Sequence, residues 1–411
     1  MEHFFAALTL SAGYNTALVC IGAALLGAAS GAIGVFVLLR KRTLISDAVS
    51  HATLPGVALA FIIAQVYFDS GRSLPVLLFG AALSAGIGVL AVDWIKTHTR
   101  LTEDAAIGTV LSTFFAVGMV LLTIIQSMSI AGQAGLEGFL LGATSGMLKS
   151  EALTIAVAAA LVGLAVVLRM KEFSLLCFDE SFAAACGYNV RWLDRTLLLL
   201  LLGIVVIGLK TVGLVLIIAL AIIPPVAARF WTDRVPVLVA IAAGIGASGS
   251  YIGAALSASA PNMPTGGLIV LVLFSFFVVS LLISPVRGIL AAALKHYRFQ
   301  HIVHLRQGLL AIAHDEPVLE PLTRSILRRG GFMGGDGQPT VKGQSEARLI
   351  ERDQKLWNLY REMHPEESHA LADWSLKPIG EVLPADTVRV LEQELSPHVV
   401  RGDETSRGGA A

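Results

Sequence analysis

The chain has 411 residues, 55% of them apolar, and carries 30 basic and 30 acidic side chains for a net charge of zero. That balance argues against nucleic acid or acidic substrates as partners of the whole chain, and the apolar excess points to a membrane protein. The charge is uneven: residues 1–286 hold 14 Lys/Arg and 13 Asp/Glu, while the remaining 16 and 17 crowd into residues 287–411, so a membrane part precedes a polar tail.

Residues 1–15 lack a basic leading region, so no cleavable signal peptide is expected and the first span stays in the protein. Apolar runs predict spans near 16–39, 44–67, 75–95, 105–127, 150–168, 194–208, 212–230, 235–257 and 265–284. The sixth is short, which leaves eight or nine spans. Asp69-Ser70-Gly71, the polar stretch Thr97–Thr102 and Pro261-Asn262-Met263-Pro264 supply turn signals between spans. Placing the loop after the first span in the cytoplasm puts most basic loop residues inside and only Arg72, Lys149 and Lys210 outside. The N-terminus is then outside and the tail cytoplasmic. Gly27, Gly31 and Gly34 in the first span, and Gly244, Gly246, Gly249 and Gly253 in the eighth, predict close helix packing.

The second span, TLISDAVSHATLPGVALAF at 43–61, carries two ionisable groups. Asp47 and His51 are four apart and share one helix face. Ser46 and Ser50 add hydroxyls, and Pro55 has no N–H to bond the carbonyl of His51. Carboxylate plus imidazole suits Mn, Fe or Zn, and ionisable groups in a span usually mark a transport path. Two plainer readings stand beside it: Asp47 serving the helix dipole near an N-terminus, and His51 as a packed histidine bonded to a carbonyl. Residues 134–149 are too polar and Gly-rich to cross, and predict a short helix on the outer surface. In the inside loop 169–195, Asp179-Glu180-Ser181 starts a helix that Ala183, Ala184 and Ala185 continue, with Gly187 placed to end it. In the seventh span Pro224 and Pro225 free the carbonyls of Leu220 and Ala221 and predict a kink. That kink is read either as a second wall of the path or as packing. Cys20, Cys177 and Cys186 have no metal or redox spacing.

Beyond Arg287, residues 296–330 show a helical apolar pattern, a Gly-rich hairpin-like stretch follows, and 347–364 reads as an amphipathic helix. The last residues, 402–411, read as disordered.

LISDAVSHATLPGVALAF resembles the second-span motif of the permeases of bacterial zinc, manganese and iron ABC importers. DESFAAACGYNV resembles their coupling helix, and VGLVLIIALAIIPPVAARF and PTGGLIVLVLFSFFVVSLLISPVRG resemble their later spans. The resemblance covers roughly residues 10–290. It implies a membrane metal site at Asp47 and His51, and ATPase coupling through Asp179, Glu180, Ala183 and Gly187. It also implies a second permease copy or relative, an ABC ATPase subunit, and a periplasmic or lipoprotein metal-binding protein. No Walker A pattern is present, so ATP hydrolysis falls to another chain. The tail resembles diphtheria-toxin-repressor-like metalloregulators, with a winged helix one helix short; their pattern survives at His369 and Asp373, a candidate regulatory metal pair, and no nucleic-acid partner is expected.

The sequence therefore predicts an all-α polytopic membrane protein of about 8–9 transmembrane helices. Residues 1–286 form the permease domain, 287–401 a mainly α cytoplasmic domain, and 402–411 the disordered end. The expected function is the permease subunit of an ATP-driven divalent-metal importer in the bacterial inner membrane. It is not itself an enzyme, is in contact with lipid, has no permanently bound cofactor, and carries Mn, Zn or Fe as cargo. The rival readings are a proton-coupled metal carrier, with Asp47 and His51 as a relay, and a membrane-anchored metal sensor.

Overall fold

The computed structural model describes residues 6–9, 11, 13–68, 74–127, 147–259, 263–365 and 377–405. It divides into two compact units, Met1–Ala291 and Ala292–Ala411. The helices of the first are α1 (Tyr14–Leu39), α2 (Thr43–Phe68), α3 (Leu74–His98), α4 (Glu103–Ser127), α5 (Lys149–Leu168), α6 (Met170–Phe178), α7 (Glu180–Ala185), α8 (Val190–Val212), α9 (Leu214–Arg229), α10 (Val235–Ser257) and α11 (Thr265–Ile283). Then come α12 (Ile289–Ala313), α13 (Pro321–Arg329), α14 (Val341–Met363), α15 (Ile379–Val382) and α16 (Ala385–Thr405).

Eight helices among the described residues are long and apolar enough to cross a membrane: α1 to α5, α8, α10 and α11. The sequence makes the sixth span short; in the structure α8 has 23 residues, and the short one is the seventh, α9, with 16. The cause is local. The Asn189 side chain caps α8 by accepting from the Trp192 amide, so the charged VRWLDR stretch forms the first turns instead of a loop. Gly213 then takes φ +84°, a left-handed value open to glycine, and separates α8 from α9 without a loop. At one end α9 lies beside the start of α11, where Gly266 faces Val212 and Leu216. At the other, Ser284, just past α11, donates to the Phe230 carbonyl. So α9 runs the length of a spanning neighbour in about 24 Å.

Packing sorts the bundle into two groups. Centrally buried α1 packs on α10, α9 and α5, whereas α2 packs on α3 and α4; α1 and α2 themselves barely touch. Helix α8 contacts members of both groups. The α1–α10 contact is backbone on backbone. A Cβ at Gly27 would lie 2.2 Å from the Gly246 carbonyl oxygen, and one at Gly246 would lie 2.1 Å from that of Gly27. In lipid, where helices gain little from hiding apolar surface, such close van der Waals contact is what associates them. Pro224 and Pro225 are buried within α9, which continues through both, and Pro225 packs on Gly34 of α1. Pro55 likewise lies inside α2, beside Gly118 of α4. Of the predicted outer helix at 134–149, residues 134–146 lie outside the described residues.

In the second unit Leu309, Ile312, Leu327, Met333 and Ala347 form one small core, and Leu356, Trp357, Tyr360, Ile379 and Leu391 another. Arg306 of α12 joins them: its guanidinium is 3.1 Å from Asp353 Oδ2, while Asp353 Oδ1 accepts from the Ile379 amide at 2.7 Å. The Gly-rich stretch closes through a single antiparallel bridge, Met333 with Pro339; among the described residues no strand is assigned. Helix α16 continues to Thr405, four residues into the stretch read as disordered, and 406–411 lie outside the described residues.

Two stability tests follow from these contacts. Gly246→Ala must separate two backbones and should cost about 1–3 kcal/mol, whereas Gly244→Ala, which meets open space, should be neutral. Thermal unfolding in detergent distinguishes them, and equal melting behaviour contradicts the packing account. Asp353→Ala leaves Arg306 buried without its carboxylate and should destabilise the tail by about 3 kcal/mol, read as faster proteolysis of the tail.

Candidate functional site

Helix α2 begins at Thr43, so Asp47 lies beyond its first turn, where the dipole is strongest; no acid occupies that turn. Asp47 Oδ1 is 3.3 Å from His51 Nε2, and the two side chains are 33% and 20% exposed. The other ring nitrogen, Nδ1, is buried and has no hydrogen-bond partner among the described residues. Phe115 of α4 meets the imidazole edge to face, with centroids 4.9 Å apart. Asp47 thus sits past the helix start, and among the described residues His51 bonds no carbonyl while packing on Phe115. An unpartnered polar atom in an apolar wall is unfavourable by about 1–3 kcal/mol.

Neighbouring hydroxyls fold back onto the helix. Ser50 Oγ donates to the Ser46 carbonyl at 2.8 Å and Thr53 Oγ1 to the Ser50 carbonyl at 2.6 Å, while Ser46 Oγ is buried without a partner. A carboxylate oxygen and an imidazole nitrogen on one turn can ligate a borderline divalent ion. Among the described residues no group of three or more His, Cys, Asp or Glu could hold a metal, so Asp47 and His51 stand as a pair and not as part of a larger cluster.

The second feature lies where α1 ends and α2 starts. Asp179 caps α7: its Oδ1 accepts from the Phe182 amide at 2.8 Å and from the Ser181 hydroxyl at 2.7 Å. Those bonds, the Ser181 one foremost, hold the Asp179 carboxyl below the usual carboxylate range. At the other end Gly187 has φ +86°, its amide bonds the Ala184 carbonyl and the Tyr188 amide bonds the Ala183 carbonyl. This is the paired closure that a left-handed glycine permits. Ala183 is buried, Glu180 is exposed, and Phe178, Phe182, Tyr188 and Trp192 leave an apolar patch around the helix.

A charge cluster joins α7 to the start of α2. Arg40 reaches Glu180 at 3.3 Å, Asp194 at 2.9 Å and the Leu176 carbonyl at 2.9 Å. Arg42 bonds Asp194 at 2.8 Å and Glu103 at 2.5 Å, and Lys96 bonds Glu103 at 2.7 Å. Burial pulls the Arg42 pKa down, but Asp194, by charge and hydrogen bond, and then Glu103 and Glu180 offset this and leave it raised. The cluster borders a cleft of about 1050 Å³ that also includes Trp94, Lys96, Arg191 and Arg195.

Asp47 and His51 are thus paired on one face, and Asp179, Glu180, Ala183 and Gly187 fall in one short capped helix. His369 and Asp373 lie outside the described residues. Sequence reasoning used Arg40 and Arg42 only as topology markers and did not single out Glu103 or Asp194. Their partners come from four separated segments, so no local spacing connects them; the one available signal was that basic 40–42 needs acids at the same bundle end.

The profile of the ABC 3 transport family matches residues 14–284. The manganese transport system membrane protein MntC of Bacillus subtilis is 41% identical over 72% of this chain and 67% of its own length. The zinc transport system membrane protein TroC of Treponema pallidum is 38% identical over 69% of this chain and 94% of its own. The solved PsaBC of Streptococcus pneumoniae in complex with Fab shares the architecture at a TM-score of 0.59 and 28% identity, over 70% of this chain and 96% of that one. A match across most of the membrane unit, carrying both the paired α2 residues and the capped α7 segment, means that the chain belongs to the ABC 3 transport family.

Proposed function

We infer that the chain is the membrane permease subunit of an ATP-driven importer of divalent transition metal ions, with manganese, zinc or iron as cargo. The observation that carries this is the Asp47–His51 pair in a membrane helix, with an imidazole nitrogen left unpartnered. The chain is not an enzyme; ATP hydrolysis belongs to a separate subunit.

Two ligands hold an ion weakly, so a second permease copy or a related permease adds its own pair, and weak binding suits an ion that must leave again. An external metal-binding protein delivers the ion. An ABC ATPase subunit docks on α7, whose exposed Phe178, Phe182 and Tyr188 are apolar anchors suited to a groove. In this reading α7 and the tail face the cytoplasm at a bacterial inner membrane and the N-terminus is outside, which the basic loops support. The tail lies beyond the matched residues and serves regulation or assembly; it resembles a metalloregulator, with His369 and Asp373 as its candidate ion pair. A proton-coupled carrier would use the same α2 pair but gives α7 no task.

Asp47→Ala and His51→Ala should each cut uptake by more than about 10- to 100-fold, the loss that changes to residues merely supporting metal ligands produce. Radiometal uptake at matched membrane levels measures this. Near-normal transport in either variant contradicts the path, and uptake that persists without ATP or the ATPase subunit favours the proton-coupled carrier.

Gly187→Val forces a branched residue into left-handed backbone at about 1–2 kcal/mol, although a Cβ there meets open space. It should weaken ATPase co-purification or uncouple hydrolysis from uptake, as should loss of the Asp179 cap. An intact, coupled complex in both variants would make α7 a connector only.

A further inference from the structure

A charge cluster joins α7 and α8 to the link that precedes α2. It spans four segments: Glu180 of α7, Asp194 in the first turns of α8, Arg40 and Arg42 in the α1–α2 link, and Glu103 at the start of α4. The side chains of Arg40, Arg42 and Asp194 are only 10%, 12% and 18% exposed, so their pairing is weakly screened by solvent. Asp194 is the hub, with one arginine from each side of Lys41 on its carboxylate.

The link itself is constrained. Lys41 takes φ +58° where a helix-ending turn normally has glycine, and the amides of Lys41 and Arg42 close the turn on the Leu38 and Val37 carbonyls. A lysine in left-handed backbone is strained, and such strain persists only where surrounding contacts fix it. Here the flanking arginines supply the contacts. Directly after Arg42 comes α2, and Asp47 follows five residues on, about 7.5 Å along the axis.

Helix α2 also touches α8 and α9 directly, and the cluster adds a charged tie at its start. Helix α7 touches α6 and α8, whereas α2 belongs with α3 and α4 and barely meets α1. Helix α8 contacts both groups, and Asp194 sits at its α7 end.

We propose that Asp194 is a positioning residue that, through Arg40 and Arg42, transmits displacement of α7 into α2 and so into the Asp47–His51 pair. This rests on the importer reading above. A rigid helix pulled at its start moves the next turn with it; behind an unclamped link only side-chain packing on α8 and α9 is left to move it.

The experiment uses the full chain assembled with its ATPase subunit and metal-binding protein in proteoliposomes, and reads manganese ions moved per ATP hydrolysed. Asp194→Asn removes the charge that both arginines share. The complex should still co-purify and hydrolyse ATP, while ions per ATP fall about ten-fold, the scale of an ordinary coupling between sites. Asp194→Glu should restore most of the ratio. Arg42→Lys keeps the charge but cannot fork between Asp194 and Glu103, and should give an intermediate ratio even if Asp194→Asn fails to assemble. An unchanged ratio in both Asp194→Asn and Arg42→Lys overturns the proposal. So does a loss of assembly, hydrolysis and uptake in proportion, with Asp194→Glu no better, because that is what a purely structural clamp predicts. Wild-type uptake that ignores ATP contradicts the importer reading itself; coupled wild-type uptake beside an indifferent Asp194→Asn contradicts only the transmission role.

Discussion

A carboxylate and an imidazole in an apolar bundle must be given something to bind. Water satisfies both in solution, and a membrane span removes most of it. In this chain the pair satisfies itself only in part: Asp47 faces one nitrogen of His51, and the other nitrogen faces no donor or acceptor. Around it the polar groups are turned away, with the Ser50 and Thr53 hydroxyls spent on their own helix and Phe115 closing one side of the ring. The unpartnered nitrogen leaves ligand capacity unused, which supports the proposed metal path.

The helices around the pair are held by two different kinds of contact. Helix α1 is locked to α10 and α9 by backbone contacts at Gly27, Gly246 and Gly34, which tolerate little sliding. The helix with the pair is not part of that lock. It packs mainly on α3 and α4, with smaller contacts on α8 and α9, and the charged cluster ties the link before its first residue to α7 and α8. Charged contacts can exchange partners at a membrane surface more readily than interlocked backbones can separate. A rigid group, a second group and a polar joint are the elements that a rocking or hinge motion requires.

Much of this was legible in the chain because it is local. The Asp47–His51 spacing, the acids that open α7 and the glycine that ends it each act within one or two helical turns, and the geometry of a helix makes such spacings predictive. The glycine-lined contact of α1 was visible as small residues at helical intervals, though not its partner. What was not legible depends on distant segments. The cap at Asn189 moved the start of α8 into the charged stretch, and Gly213 separated α8 from the short α9 without a polar loop to announce it. Asp194, unremarkable among the charges of its stretch, becomes the hub only when Arg40 and Arg42 are folded beside it.

The central claim is that the membrane pair ligates the transported ion, and the most direct measurement is spectroscopic. Pulsed electron paramagnetic resonance on the detergent-purified permease complex loaded with Mn(II) reports nitrogen bound to the metal. The account predicts an imidazole nitrogen signal in the wild type that disappears in His51→Ala while the complex remains assembled. An unchanged nitrogen signal in His51→Ala would mean that the ion sits elsewhere, and would contradict the account.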